Sequence, residues 1–329
     1  MIGSRRPIFA LLILAPSIPE LLTGSTPITL LAIDPLRFAF QMALNIGLYG
    51  TGALLIREAS AKWNKGWATI LLLGAAYGIM EEGIAVHTFF QSSGNPVGIM
   101  GTYGRAFGVN WVWVVGLTLF HSLYSISIPI LLVQLLYPDI KRKPWMDRSL
   151  LALTAFVYLC VVTLIYSAVP NKPDIYQLAF FLSVVILLLI AGRFVPAELL
   201  KARPGLPTGR GFTIPLAAAM FFTSWIVVIV IASDNLIAPV FSVLILLCVS
   251  AASLKLILSR VGDKGNELAK LSAVTGFLSI LFLWDVFVEF SSVPGILFVS
   301  AAFIYFLFRL HKRLEGKSLS AVPRLQHSA

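Results

Sequence analysis

The chain has 329 residues, of which 58% are hydrophobic and 12% charged, about half the charge fraction of a soluble domain. Its net charge of +10 would suit nucleic acid, but the excess sits in short loops between long apolar runs. That is the positive-inside pattern of a membrane protein, so nucleic acid is excluded and the partner is the lipid bilayer.

A span needs about 20 mostly apolar residues. Runs of that kind occur at 7–23, 37–58, 67–90, 109–136, 149–169, 175–192, 212–232, 237–258, 271–291 and 294–310. They predict an all-α, polytopic transmembrane bundle of ten spans. With the N-terminus placed in the cytoplasm, 22 of the 25 Lys and Arg fall on the cytoplasmic side, the exceptions being Arg37, Arg105 and Lys172. A wrong count would break this alternation partway along the chain. The alternation therefore supports ten spans, both ends in the cytoplasm, and a multi-pass protein of the cell membrane. Residues 1–145 carry nearly all the buried polar groups and read as a polar-site core. Residues 146–311 read as an apolar scaffold and 312–329 as a cytoplasmic tail. Cys160 and Cys248 lie inside apolar runs and read as small apolar residues, not as a disulfide or metal pair.

In the first run Pro16 and Pro19 remove backbone donors and kink the helix beside Glu20, just before Thr23-Gly24-Ser25-Thr26-Pro27. The kink argues against a cleaved signal peptide. Broken helices in membranes line cavities or are buried in protein. In the second run Gln41, Asn45 and Tyr49 recur on one face, and Arg57-Glu58 closes the run as a snorkelling anchor with a local partner.

The third run carries Glu81 and Glu82, a costly pair inside a bilayer and so a functional hypothesis by default. Neighbours on an α-helix are about 100° apart, which predicts that the two carboxylates point different ways. Gly74 and Gly78 share the Glu81 face and predict a tight seam with another helix. His87 falls almost opposite the pair. The glycine-rich stretch 91–108 is too apolar for an ordinary exposed loop and is expected to dip back over the site. Arg105 then becomes a partner for Glu20 or for an anionic head group, while Trp111 and Trp113 suit an interfacial belt. The fourth run places Asn110, Thr118 and Ser125 on the same stripe as His121, which predicts one shared Glu–His site. In the ninth run Asp285 and Glu289 repel at i,i+4. They read as solvated at the outer end, or else as a proton or cation site.

Glu81, Glu82 and His121 are thus the candidate catalytic residues. Glu20, Asn45, His87, Arg105, Asn110 and Ser125 are candidates for substrate contact or for supporting the site. A divalent metal at Glu81, Glu82 and His121 is compatible with the donor types, although no HExxH is present and no histidines share i,i+4 spacing. Three functions remain open. The first is a membrane-embedded hydrolase, with Glu81 or Glu82 as general base and a lipid or peptide substrate. The second is a proton- or cation-coupled transporter, and the third a non-catalytic assembly factor.

The runs ELLTGSTP at 20–27, GALLIREA at 52–59, YGIMEEGIAVHTFF at 77–90 and GVNWVW at 108–113 resemble an uncharacterised family of prokaryotic multi-pass membrane proteins. Glu81-Glu82 followed by His121 also resembles, in part, the CAAX-type intramembrane proteases, which would imply a glutamate-activated water. Val86 stands where that family has Arg, and Leu117 where it has Phe.

Overall fold

The computed structural model describes residues 5–94, 96–200, 213–233, 236–261 and 267–320. Tail residues 321–329, together with Lys201, Arg203, Arg210 and Lys264, lie outside the described residues. Within them the chain forms α1 (Arg6–Pro16, wound on through Ser17–Leu21), α2 (Pro35–Lys62), α3 (Trp67–Ala85), α4 (Trp111–Leu136) and α5 (Arg148–Ala168). There follow α6 (Ile175–Phe194), α7 (Thr213–Ser233), α8 (Pro239–Val261), α9 (Glu267–Ser291) and α10 (Ile296–Ser320). A two-residue antiparallel pair, β1 (Arg105–Ala106) with β2 (Val109–Asn110), is the strand content of the described residues. The helices coincide with the apolar runs, and α2 to α9 are each long and apolar enough to cross a membrane. The fold is an all-α polytopic bundle.

Local chemistry sets several boundaries. Asp34, Asp147 and Asp174 accept the first backbone N–H groups of α2, α5 and α6, satisfying donors that have no partner inside the helix. The third span stops at Ala85, five residues short of the expected end. His87 adopts a left-handed backbone with φ of 60°, and Thr88–Phe90 form one tight turn.

The first four helices share one irregularity. Their hydrogen-bond ladder widens from i→i+4 to i→i+5 over Ser17–Leu21, Ile46–Gly50, Met80–Ala85 and His121–Ser127. Such π-turns are uncommon and concentrate at functional sites. Pro19 in α1 and Pro129 in α4 each remove a donor from the regular ladder.

Lipid is as apolar as leucine, so helix association depends on close packing of small residues rather than on exclusion from water. A methyl group added to Gly74 would lie 2.9 Å from Ser122 Cα, and one on Gly78 would lie 3.0 Å from His121 Cβ. The expected seam on the Glu81 face is therefore the contact between α3 and α4. These two helices form the centre: 78% and 72% of their most apolar stretches are buried, against 11% and 17% for α5 and α6. Three apolar clusters surround them. Leu11, Leu54, Leu73 and Ile130 join α1 to α4. Phe89, Val112, Phe181, Trp225 and Leu246 bring in α6, α7 and α8. Ile18, Ile128, Leu278 and Phe303 dock α9 and α10.

Several charged residues are placed differently from expectation. Arg57 and Glu58 are fully buried rather than snorkelling. Arg57 pairs with Glu58, stacks 3.5 Å over the Trp145 ring, and donates to the carbonyls of Ile140, Lys141 and Lys143. Glu58 also accepts the backbone N–H groups of Trp145 and Met146. The pair closes the α4–α5 connection over the end of α2. Asp285 is also buried, not solvated: Ser300 donates to its Oδ2, and its Oδ1 has no partner. Glu289 accepts the N–H groups of Gly295 and Leu297 and so caps the start of α10. The glycine-rich loop packs onto the bundle, with Val97, Met100 and Tyr103 buried and the Tyr103 hydroxyl bonded to Ile237 O and Ser242 Oγ.

Candidate functional site

The four π-turns converge on one buried polar centre. His121 enters from α4, and its Nε2 lies 2.9 Å from Glu82 Oε1. Its Nδ1 lies 2.9 Å from Ser125 Oγ, one turn further along α4, and 3.0 Å from Glu81 Oε2. Both carboxylates of α3 therefore reach the same imidazole, where a regular α-helix would have splayed them. The wider turn over Met80–Ala85 supplies the difference. Glu81, Glu82 and His121 are 2%, 7% and 3% exposed.

Glu82 is held on its other side. Thr88 Oγ1 donates to Glu82 Oε2, and Trp113 Nε1 donates to Thr88 Oγ1 at 3.0 Å. The left-handed turn at His87 is what brings Thr88 back to the end of its own helix. Trp113 is thus buried support for the site rather than an interfacial anchor.

Glu81 is held less completely. Its Oε2 has the ion contact with His121 but no hydrogen bond of good geometry, and the buried hydroxyl of Tyr77, which faces the Glu81 carboxyl, makes no hydrogen bond of good geometry either. Two further aromatic groups wall this point. Tyr49 stacks on His121 at 6.2 Å between ring centres, and Phe120 meets His121 edge-on at 5.3 Å.

A second acidic group stands behind Tyr49. The Tyr49 hydroxyl donates to Glu20 Oε1 at 2.7 Å, Thr26 Oγ1 donates to Glu20 Oε2 at 2.7 Å, and Asn45 Nδ2 donates to Thr26 at 3.1 Å. Glu20 and Asn45 therefore join the centre through Tyr49 and Thr26. Ser125 touches it directly.

Three other candidates are elsewhere. Arg105 does not reach Glu20; it donates to Phe90 O at 3.0 Å and to Asn110 Oδ1 at 2.7 Å. Asn110 in turn donates to Gln91 O at 2.6 Å. The two pin the turn that carries Thr88. His87 lies past the end of α3, bonds Pro170 O at 3.0 Å and meets Tyr166 edge-on, away from the Glu pair.

Thr26, Tyr49, Tyr77, Thr88 and Trp113 also reach the centre, although the sequence does not single them out as site candidates. Asn45 and Tyr49 at i,i+4 were a usable signal. The role of Thr88 was not, because it depends on a left-handed residue.

Electrostatically the centre is lopsided. It gathers three carboxylates and one imidazole, and among the described residues no Lys or Arg forms an ion pair with Glu20, Glu81 or Glu82. Arg57 and Arg105 are committed to backbone carbonyls at the two ends of the bundle. The arrangement can hold a proton, a cation or a polarised water.

No curated protein and no solved structure matches the chain. Residues 9–310 match an uncharacterized membrane protein family across nearly all of the spanning region, and the chain belongs to that family.

Proposed function

We propose that the protein is a membrane-embedded hydrolase acting on an acyl bond of a lipid or peptide that reaches the Glu–His centre from the bilayer. The observation that carries the reading is a pair of buried atoms without hydrogen bonds, Glu81 Oε2 and Tyr77 Oη, beside an anchored imidazole. A buried polar group left unpaired is costly, and such groups mark places where a reacting molecule supplies the missing partner.

Glu81 takes a proton from a water, and the water oxygen adds to the acyl carbon. Tyr77 donates a hydrogen bond to the oxygen that becomes negative. Collapse breaks the C–O or C–N bond, and the proton on Glu81 passes to the departing oxygen or nitrogen. His121, fixed by Glu82 and Ser125, holds Glu81 in place and balances its charge. Glu20, through Tyr49, orients the wall of the site.

The same reading includes ten spans, both ends in the cytoplasm of a cell-membrane protein, and a division of labour. Residues 1–145 carry the site, 146–311 form its frame and 312–329 a tail. The lipid-facing character of α5 and α6 and the distribution of basic residues support it.

A proton-coupled transporter is favoured by the run of polar groups from Asn45 through Glu20, Tyr49 and His121 to Glu82. That run passes from α1 to α4 across the bundle rather than along it. Asp285, a buried acid of α9, is bonded to Ser300 and is not part of it.

The test uses purified protein in proteoliposomes with a fluorogenic phospholipid ester and a quenched apolar peptide. Glu81→Gln should lower kcat by about 10²–10⁴, with Tyr77→Phe also impaired and Asp285→Asn unchanged. Turnover that survives both Glu81→Gln and Glu82→Gln sinks the hydrolase reading. Proton flux abolished by the same two changes, with no turnover, would favour the transporter.

A further inference from the structure

We propose that Glu81, Glu82 and His121 bind one divalent first-row transition-metal ion, of which Zn²⁺ and Mn²⁺ suit the donors best. The inference rests on the same centre as the hydrolase reading and names its cofactor, but the binding can be measured without any reaction.

The donor atoms of these three residues all lie within 4.8 Å of one another, and all three residues are buried. They come from adjacent helices brought into close contact at the Gly74–Gly78 seam. Two carboxylate oxygens and one imidazole nitrogen form a mixed O/O/N set of the kind zinc and manganese accept. Three protein ligands leave a coordination position open, as catalytic sites require.

Two further features of the centre point to a ligand. Glu81 Oε2 is buried without a hydrogen bond although it sits 3.0 Å from His121 Nδ1, and Tyr77 Oη beside it is also unpartnered. The second observation is charge. Buried carboxylates need a counter-charge, and no Lys or Arg among the described residues pairs with them. A divalent ion neutralises Glu81 and Glu82 together and lets His121 bind as the neutral imidazole.

The surroundings also select the ligating nitrogen. Metal-binding histidines ordinarily give their other ring N–H to a fixed acceptor. Ser125 Oγ stands 2.9 Å from Nδ1 and can be that acceptor once Glu81, whose Oε2 lies 3.0 Å from the same nitrogen, turns to the ion. This leaves Nε2, 2.9 Å from Glu82 Oε1, to share the ion with Glu82. Glu81 ligates through one oxygen and keeps the other for the proton of a bound water, so the ion adds to the role given to Glu81 above. Thr88 and Tyr49 act behind the ligands.

The experiment uses full-length protein with a tag free of histidine, purified in detergent without chelator. Elemental analysis should find about one transition-metal ion per chain, consistent with a site of three protein ligands. After chelator treatment, titration with Co²⁺ should give visible d–d absorption that Zn²⁺ displaces. Glu82→Gln and His121→Ala should abolish it, Ser125→Ala should weaken affinity by about 10–100-fold, and Asp285→Asn should leave it unchanged. Elution volume and Tm establish that each variant is folded. Wild-type protein that carries no ion and gives no cobalt spectrum overturns the proposal, as does binding that Glu82→Gln and His121→Ala leave intact. Turnover by metal-free protein overturns this inference and leaves the hydrolase reading standing. A metal site with no turnover does the reverse.

Discussion

Two buried charged clusters sit within the first four helices, and they are built on opposite terms. At one end of α2, Arg57 and Glu58 are paired with each other and with five backbone groups of residues 140–146, and neither has an unpartnered buried atom. At the Glu–His centre two acids share one imidazole with a third behind Tyr49, and Glu81 Oε2 and Tyr77 Oη have no hydrogen-bond partner. Both clusters break the rule that charge stays out of a bilayer. What separates a structural clip from a reactive centre is therefore not burial but whether the polar atoms are satisfied.

The comparison breaks first if the clip is not structural. Arg57→Ala leaves Glu58 without its ion partner and frees three carbonyls of the α4–α5 connection, and breaking such a pair costs about 3–5 kcal/mol. The expected result is a large fall in Tm in detergent and proteolytic cleavage within residues 137–146. Replacing both residues with apolar ones of similar volume should recover much of the loss, because well-packed apolar pairs often match buried ion pairs. Glu81→Gln, by contrast, removes a charge that is only partly compensated and should leave Tm at or above the wild-type value. Equal losses in Arg57→Ala and Glu81→Gln would erase the distinction.

Much of this was legible in the sequence, and the limits have physical causes. The helices follow from apolar length, and the α3–α4 seam follows from Gly74 and Gly78 on the Glu81 face. His121, Ser125 and the Glu pair meet as the helical stripe predicts. Glu81 and Glu82 do not splay as a regular helix predicts, because π-turns change which residues share a face. Arg57 was misread because its carbonyl partners lie more than 80 residues away in the chain. Thr88 and Trp113 support the centre only because His87 turns left-handed.

The seam offers a smaller test. Leucine at Gly74 would drive its Cβ to 2.9 Å from Ser122 Cα, a backbone atom that cannot yield as a flexible side chain would. Overpacking of this kind costs about 1–3 kcal/mol. Because Ser122 precedes the rest of the π-turn that aims His121, Gly74→Leu should also weaken Co²⁺ binding in protein that remains folded. Intact binding with unchanged Tm would mean that α3 and α4 do not depend on this approach for their alignment.

Asp285 gives the smallest effect and the sharpest use of the rule. It lies between the two extremes: fully buried like Glu58, half-satisfied like Glu81, and with a single partner in Ser300. If unpaired atoms signify function only where several converge, this isolated one is a tolerated packing feature. Asp285→Asn keeps an oxygen to accept from Ser300 and exchanges one unpartnered atom for another, so thermal unfolding should shift by less than about 1 kcal/mol. A loss of more than about 2 kcal/mol would mean that Oδ1 has a partner worth as much as a charged hydrogen bond, and the buried acid of α9 would then belong with the reactive centre rather than with the frame.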